Sequence, residues 1–466
     1  MVNAELTRYL KNFLKDKYKS FIDAGCETKA IRLNSLKTKS QYFKDWLKAK
    51  TIAFEEIPFN INGFKIPDDS LPLSHTLNFF KGYFQYQGIS SQIPALVLNP
   101  QPGETVLDMA AAPGSKSTQL AALMKNKGQL ILNDAVRHRL QPLNANAQKA
   151  GLINQIISYL PAERFGNLFP NYFDKILLDA PCTALGTISS NPEIASWWSE
   201  EKLRKLTAVQ HGLLVSACKS LKTGGELVYS TCSIAPEENE MAVQKIIDKY
   251  NMEILPVPDM RGIQFLPGMA AYQDKKFHAK MHEAVRTAPH IHGLEGFFVC
   301  RLRKTGGHKL QPHLPSADFF QTTGPSDKFI ADDLALIADY WGIEKNFFDD
   351  FRFIKTKNRI WLANNEITEI PENGFTNAGL LFAERKSHSW KLFNQSVQLL
   401  GNGVKNRIIK FNEEMLTEIF AGGRIKNPGY KGGYYILEWQ GAPLASLYAD
   451  KDTMRMRLPH YFKLVI

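Results

Sequence analysis

"ETVLDMAAAPGSKSTQLAALMK", Glu104 to Lys125, is the stretch whose reading decides the fold. Val106 and Leu107 form an apolar strand that ends in Asp108. A run of small residues follows, Pro113-Gly114 turns the chain, and a helical pattern begins at Ser115. Strand, tight turn and helix in that order open a doubly wound parallel sheet. The alanines let a ligand come close to the backbone, and the free N–H groups of a helix start favour an electron-rich group there. The dinucleotide fingerprint GxGxxG is absent, and no glycine precedes Gly114-Ser115-Lys116 at Walker spacing, which weighs against NAD, FAD and P-loop chemistry. What remains is a site for another adenosine-containing ligand.

Further strand-like runs flank this unit: "GQLILNDA", "NQIISYL", "FDKILLDA" and "GELVYSTCS", with helical patterns between most of them. "PEENEMAVQKIIDKY" reads as a helix opened by Pro236, with acidic residues at its positive end. Asp134 ends the second strand, where such folds place a carboxylate to accept from ribose hydroxyls. Asp108 and Asp134 together, at adjacent strand ends, favour S-adenosyl-L-methionine as the ligand.

"FDKILLDAPCTALG" and "GGELVYSTCS" each carry a cysteine just past a strand, Cys182 and Cys232. Ligands of an open parallel sheet bind outside the carboxyl ends of its strands, so both thiols are expected to face one pocket. Cys26, Cys218 and Cys300 sit among apolar or helical neighbours and read as inert, buried thiols. A methyl donor beside a thiol suggests a definite reaction. Carbon 5 of cytosine becomes nucleophilic when a thiolate adds to carbon 6, and a second acid/base group assists loss of the carbon 5 hydrogen before the thiolate leaves. The residues alone do not say which cysteine does which.

The chain has 466 residues, a formal net charge of +11 and five cysteines. At roughly 150 residues per domain, about three domains are expected. No CxxC pair occurs, and His290 and His292 of "PHIHGLEGFF" have no evident partner ligands, so neither a disulfide framework nor a metal is expected. Free thiols fit a reducing compartment, and no run is long enough to span a bilayer, which points to the cytoplasm without membrane association. The basic balance favours a polyanionic partner, nucleic acid first.

Residues 1–80 read as a small α/β module that binds RNA, 81–305 as the catalytic α/β domain, 306–327 as a Gly/Pro/Ser/Thr-rich linker, 328–390 as a small domain, and 391–466 as a β-rich barrel.

"DMAAAPGSKS", "ILLDAPCTALGT", "YSTCSIAPEENE" and "HIHGLEGFFVCRLRK", in this order, resemble the Nop/Sun family of RNA cytosine-5 methyltransferases. The basic extension ending in "GYYILEWQGAPLASLYADKDTMRMRLPHYFK" is similar to that of the bacterial RsmF-type branch, whose last domain is PUA-like. "IRLNSLK" and "GYFQYQGISSQIPALVLNPQPGETVLD" also fit, so the resemblance covers nearly the whole chain.

It implies a Rossmann-like methyltransferase domain with Cys232 as nucleophile and Cys182 as the cysteine needed for release. Asp179 is implied at the polar edge of the cytosine, and Lys116 near that base and the methyl donor. Asp108, Ala111, Ala112, Pro113, Gly114, Ser115, Lys116, Asp134, Arg139 and Asp179 are implied around the donor. The chain departs from the pattern at "SYLPAERFG", where Pro161 stands in place of an adenine-contacting aspartate and Glu163 follows two positions later.

The implied substrate is 16S ribosomal RNA or the small ribosomal subunit, acted on by a monomer, with the target base flipped out to reach the cysteines. A transfer RNA substrate is the alternative, and a noncatalytic ribosome-assembly factor a more distant one. Zinc-dependent deamination is excluded by the missing H-x-E and PCxxC. "FF" at 297–298 reads as core. "KTKNR" (355–359), "ERKSHSWK" (384–391) and "GGRIKNPGYKGG" (422–433) read either as solvated faces or, for some of them, as phosphate-contacting tracts whose RNA binding weakens with salt.

Overall fold

The structure, a computed structural model, describes residues 3–26, 29–67, 72–306, 319–371, 374–387, 389–458 and 464. At its centre is a ten-stranded sheet. Its parallel core runs in the order Gln155–Ser158, Gln129–Asn133, Thr105–Asp108, Phe173–Asp179 and Leu221–Thr231. The antiparallel strand Phe297–Lys304 follows. Strand order reverses between Thr105–Asp108 and Phe173–Asp179, which makes the rim above those two ends the place for a ligand. This is the Rossmann-like α/β arrangement expected from the sequence.

The two faces explain the apolar runs. Leu107, Ile131, Ile156, Ile176 and Leu178 lie in one core with Phe165, Phe173 and Leu214. Val106, Leu130, Leu132, Ile157 and Leu177 lie in the other with Ile93, Leu120 and Leu143. Helices cover both faces of such a sheet, so its strands are apolar on both sides. Phe297 and Phe298 are core residues.

The first module is a four-stranded antiparallel sheet in the order Glu55–Ile57, Asn60–Lys65, Ala30–Leu33 and Phe84–Tyr86. It therefore runs past the boundary expected at residue 80. The helices Ala4–Leu14 and Tyr18–Asp23 leave this module and pack on the catalytic domain. Their Leu6, Leu10 and Phe21 share a core with Leu185, Ile188, Trp198 and Ile234.

Residues 307–318 of the expected linker lie outside the described residues. Its far end, Phe319–Gln321, is a strand paired with Glu369–Pro371. Beyond it, Phe351–Lys355, Arg359–Asn364, Leu380–Lys386 and Ser389–Leu392 form a four-stranded antiparallel sheet, covered by helix Ala331–Trp341. The last sheet is five-stranded, in the order Ile408–Lys410, Gly433–Trp439, Ala442–Ala449, Thr453–Arg455 and Arg424–Lys426. One strand from this half, Phe375–Ala378, leaves its neighbours and pairs antiparallel with Gln155–Ser158, closing the edge of the catalytic sheet. Among the described residues no helix is long and apolar enough to cross a membrane.

Two smaller expectations change. The helix read from Pro236 spans Glu240–Ile247, and Pro236 sits in the turn before it. Glu238 and Glu240 are fully buried and bond to other segments, so their carboxylates serve tertiary contacts instead of the helix end. Cys218 and Cys300 are buried as expected, whereas Cys26 is only half-buried, its sulfur 2.9 Å from the Ser189 hydroxyl.

Candidate active site

Parallel registration brings the chemistry together. Asp179 pairs in register with Ser230, so the chain segments leaving these neighbouring strands run side by side, three residues to Cys182 and two to Cys232. Their sulfurs stand 3.4 Å apart. Both thiols are half-buried at the sheet rim. The Cys182 thiol is held well above its usual range, first by its hydrogen bond with Cys232, then by burial. It therefore keeps its proton at neutral pH and has a sulfur within reach to share it with.

Lys116, on the first turn of helix Ser115–Leu123, reaches Asp179 Oδ2 at 2.7 Å and donates to Ser91 Oγ at 2.9 Å. Its ammonium lies 5.4 Å from the centre of the Phe297 ring. Burial pulls this lysine down, but the Asp179 carboxylate, with Cys232 and Asp108, outweighs burial and leaves it above the ordinary lysine value. A lysine so held stays charged. It is an electrostatic partner and not a proton acceptor. Ser230 donates to the other oxygen of Asp179 at 2.7 Å, so the carboxylate is fixed from two sides.

The loop after Thr105–Asp108 forms the second half of the site. The Ala111 N–H donates to the Asn133 carbonyl at 2.8 Å, and the Ala112 N–H to Asp134 Oδ2 at 3.3 Å. Arg139 closes the arrangement by donating to the Ala112 carbonyl at 2.6 Å and pairing with Asp134 at 3.2 Å. Pro113 follows a cis peptide bond, and Gly114 adopts a φ of 106°, a left-handed conformation that favours glycine. Asp108 is buried and accepts from Ser117 at 2.7 Å. Burial pushes its carboxyl up to about 7, although the Ser117 hydrogen bond and Lys116 pull the other way.

These residues fit a methyl donor of the S-adenosylmethionine type on an observation independent of sequence: Asn133 Oδ1, fully buried at the end of the second strand, has no hydrogen-bond partner among the described residues. Alanines 111 and 112 line the same loop without side chains to obstruct it. Glu163 is exposed, and its Cγ lies 3.4 Å from where a Cβ on Gly212 of helix Glu200–Ser220 would stand. The ring of Tyr159, next to Ser158 in sequence, is covered by the Arg137 guanidinium at 4.2 Å.

Several residues of the site were not singled out from sequence. Glu238 accepts from the Thr183 N–H at 2.8 Å, from the Thr183 hydroxyl at 2.5 Å and from Gln210 at 3.0 Å, so it clamps the residue after Cys182. Arg286 forms a two-bond pair with Glu240, both at 2.7 Å, and donates to the Ile234 carbonyl two residues past Cys232. The acidic run after "TCS" was the available signal, obscured by its reading as a helix start.

The basic tracts divide. Lys355 pairs with Asp333, and Arg359 and Lys386 pair with Glu384, so those charges are answered within the protein. Lys391, Arg424 and Arg457 line a cleft of about 880 Å³ beside Phe393 and Tyr448. Trp198 is buried, and Trp197 is covered by Lys202 at 3.5 Å.

Residues 95–303 match the family described as 16S rRNA methyltransferase RsmB/F. Over 450 residues the chain is 30% identical to the ribosomal RNA small subunit methyltransferase F of Pectobacterium atrosepticum, an overlap of 94% of this chain and 90% of that relative. It is 34% identical over 304 residues to the 28S rRNA (cytosine-C(5))-methyltransferase of Mus musculus, but spans only 38% of that longer protein, and 42% of the 26S enzyme nsun-1 of Caenorhabditis elegans. Among solved structures, a methyltransferase homolog from Pyrococcus horikoshii superposes with a TM-score of 0.57 at 30% identity, over 65% of this chain and all of that one. NSun6 from Pyrococcus horikoshii, crystallised with SFG, does so with a TM-score of 0.57 at 26% identity, over 65% of this chain and 98% of that one.

Proposed function

This chain belongs to the RsmB/F family of 16S rRNA methyltransferases, and on that premise we propose that it methylates carbon 5 of cytidine in ribosomal RNA. The observation that carries the reading is the pair of sulfurs 3.4 Å apart at the sheet rim, beside the Lys116–Asp179 ion pair. S-adenosylmethionine, when bound along the loop of residues 108–115, supplies the methyl group. Asp108, Ala111 to Ser115, Asp134 and Arg139 hold it there.

Cys232 is the nucleophile. Its thiolate adds to carbon 6 of a flipped-out cytosine, and the electron pair displaced from the ring makes carbon 5 able to accept the methyl group. Asp179 accepts from the exocyclic amine and, once the ring nitrogen has taken a proton from solvent, from that N–H as well, so its negative charge steadies the cationic amidine. Lys116 and Ser230 hold that carboxylate in place, so no reorganisation is needed as the charge develops. Solvent water at the open rim then takes the hydrogen on carbon 5 as a proton, the carbon–hydrogen electron pair re-forms the carbon 5–carbon 6 double bond, and the carbon 6–sulfur bond breaks with its pair returning to Cys232. Cys182, protonated and 3.4 Å away, donates to the departing sulfur.

The substrate we infer is 16S rRNA or the small subunit, bound by a monomer in a cytoplasm whose reducing conditions keep the five cysteines free. The last domain acts as a PUA-like RNA-binding unit through the cleft of Lys391, Arg424 and Arg457, and the first module completes the RNA path.

The test is chemical. With methyl donor and 16S rRNA present, Cys182→Ala accumulates a protein–RNA adduct that survives denaturing gels, and Cys232→Ala forms none. The reverse pattern exchanges the two roles. Methylation persisting in both variants without an adduct removes the mechanism. Bisulfite mapping of 16S rRNA from cells with and without the protein identifies the cytidine, and an unchanged map with altered transfer RNA redirects the substrate.

A further inference from the structure

A cavity of about 220 Å³ lies between the first module and the helix that carries Lys116, outside the residues assigned above to the cytosine. Its walls include Arg32 and Tyr86 from the module, Ser115 and Thr118 from the helix start, and Lys149 from helix Leu140–Ala150. Among the described residues no aspartate or glutamate lines it.

Arg32 is 3% exposed. Its Nε donates to Gln87 Oε1 at 2.6 Å, and Nη2 donates to the Ser115 carbonyl at 3.0 Å and to Thr118 Oγ1 at 2.7 Å. Every one of these acceptors is neutral, and no described hydrogen bond uses Nη1. Lys149, half-buried, places its ammonium 3.0 Å from the centre of the Phe79 ring, another neutral partner. The nearby Lys37 ammonium is likewise bonded to the carbonyls of Lys81 and Lys149 and to Gln398 Oε1 alone. Burial, with no carboxylate to oppose it, pulls Arg32 down to about 9 and Lys149 down to about 7.

Withdrawing a cation from water costs several kcal/mol unless an opposite charge answers it. Glu240 meets that demand for the buried Arg286. Among the described residues around this cavity no carboxylate does so for Arg32 or Lys149. An anion from outside the chain answers it, and the space left beside Arg32 and Lys149 is where it fits.

We propose that this cavity binds a phosphodiester of the RNA substrate, with the attached base stacked on Tyr86. The proposal rests on the RNA methyltransferase reading and extends it to a nucleotide flanking the target. Tyr86, 42% exposed at the cavity wall, is the aromatic ring of the wall that solvent reaches most, its centre 6.2 Å from that of Phe79 and 6.3 Å from that of Phe84. Ser115 bounds the cavity while the next residue, Lys116, reaches Asp179, so one helix start touches both positions. A strand held here presents its neighbouring base toward the cysteines.

The decisive variant is Lys149→Gln, compared at pH 6 where the Lys149 ammonium is charged, which removes one charge from the cavity wall and leaves Arg32, the donor loop and the cysteines untouched. Binding of a fluorescent ribosomal RNA fragment is followed by anisotropy across a range of potassium chloride concentrations. Lys149→Gln is expected to weaken binding about three- to tenfold, and to make the slope of log affinity against log salt shallower by about 0.7 to 0.9, the share of one phosphate. S-adenosylmethionine affinity, the unfolding midpoint and the single-turnover rate at saturating RNA stay at wild-type values. Tyr86→Ala is expected to lose affinity with the salt slope unchanged.

Equal affinity and slope in wild type and Lys149→Gln overturn the proposal. So does a site for free anion alone, recognised when inorganic phosphate stabilises the wild type but not Lys149→Gln and RNA affinity is the same for both. Wild-type protein that methylates no ribosomal RNA strikes the functional reading. Active wild type with an indifferent Lys149→Gln strikes only the cavity.

Discussion

Replacing Glu238 by alanine tests whether the release cysteine depends on a buried carboxylate that touches neither substrate nor sulfur. Glu238 is fully buried, and its two oxygens receive the Thr183 N–H, the Thr183 hydroxyl and the Gln210 amide. Removing it leaves three donors without their acceptor, at about 1–3 kcal/mol for each buried group left unmade. Gln210 keeps its second bond, to the Pro181 carbonyl at 2.9 Å, and the Thr183 hydroxyl has Ser233 Oγ at 3.3 Å. These alternatives bring the expected loss toward the lower end, about 3 kcal/mol. Glu238→Gln retains one acceptor oxygen and the volume, so about 1 kcal/mol is expected for it.

The first assay is urea unfolding followed by a probe in the catalytic domain. The second is the accumulation of RNA adduct against methylated product in a single turnover. With its clamp gone, Cys182 is no longer fixed beside Cys232, so Glu238→Ala is expected to slow release more than methyl transfer, and Glu238→Gln to restore most of both. An alanine variant that unfolds with wild type and releases product at the wild-type rate refutes the reasoning.

Two further predictions concern buried charge. Asp108, with its carboxyl pushed up to about 7, is mostly protonated at pH 6, and a sulfonium bound beside it favours the ionised form. Donor affinity is therefore expected to rise with pH up to about 7 and level off above it. Calorimetry near pH 6 in buffers of different ionisation enthalpy should record proton release on donor binding, abolished in Asp108→Asn. Arg286→Ala leaves Glu240 buried without its partner and is expected to cost about 3–5 kcal/mol in unfolding free energy, with the double variant Arg286→Met, Glu240→Leu recovering much of it.

What could be read from the chain alone follows the range of the forces involved. Strands such as "ETVLD" and "FDKILLD" announce themselves because a sheet covered on both faces demands continuous apolar residues, and their polar ends mark the rim. The thiols were legible for that reason, whereas the role of Asp179 came from the family resemblance. Glu238 and Glu240 were not, since an acidic run before a helix is what a helix start also wants, and only the fold shows that Thr183 and Arg286 claim them first. Phe375–Ala378 carries no strand pattern of its own. It pairs because Gln155–Ser158 has an open edge, a reason lying some 220 residues away. Arg32 looked like one more basic residue in "IRLNSLK", and its isolation from carboxylates is visible only when the helix start of Ser115 is packed against it.

That late-arriving strand has a consequence for how the protein is made. At about 5–20 residues per second, the ribosome needs roughly 10–45 seconds after completing Gln155–Ser158 to deliver Phe375–Ala378. Through that interval the nascent sheet exposes a row of bare amide and carbonyl groups, open to pairing with any passing chain. A shortened gene product ending after Lys304 would keep that exposure for its lifetime. Chaperone dependence and inclusion-body formation should therefore track the presence of four residues that take no part in catalysis.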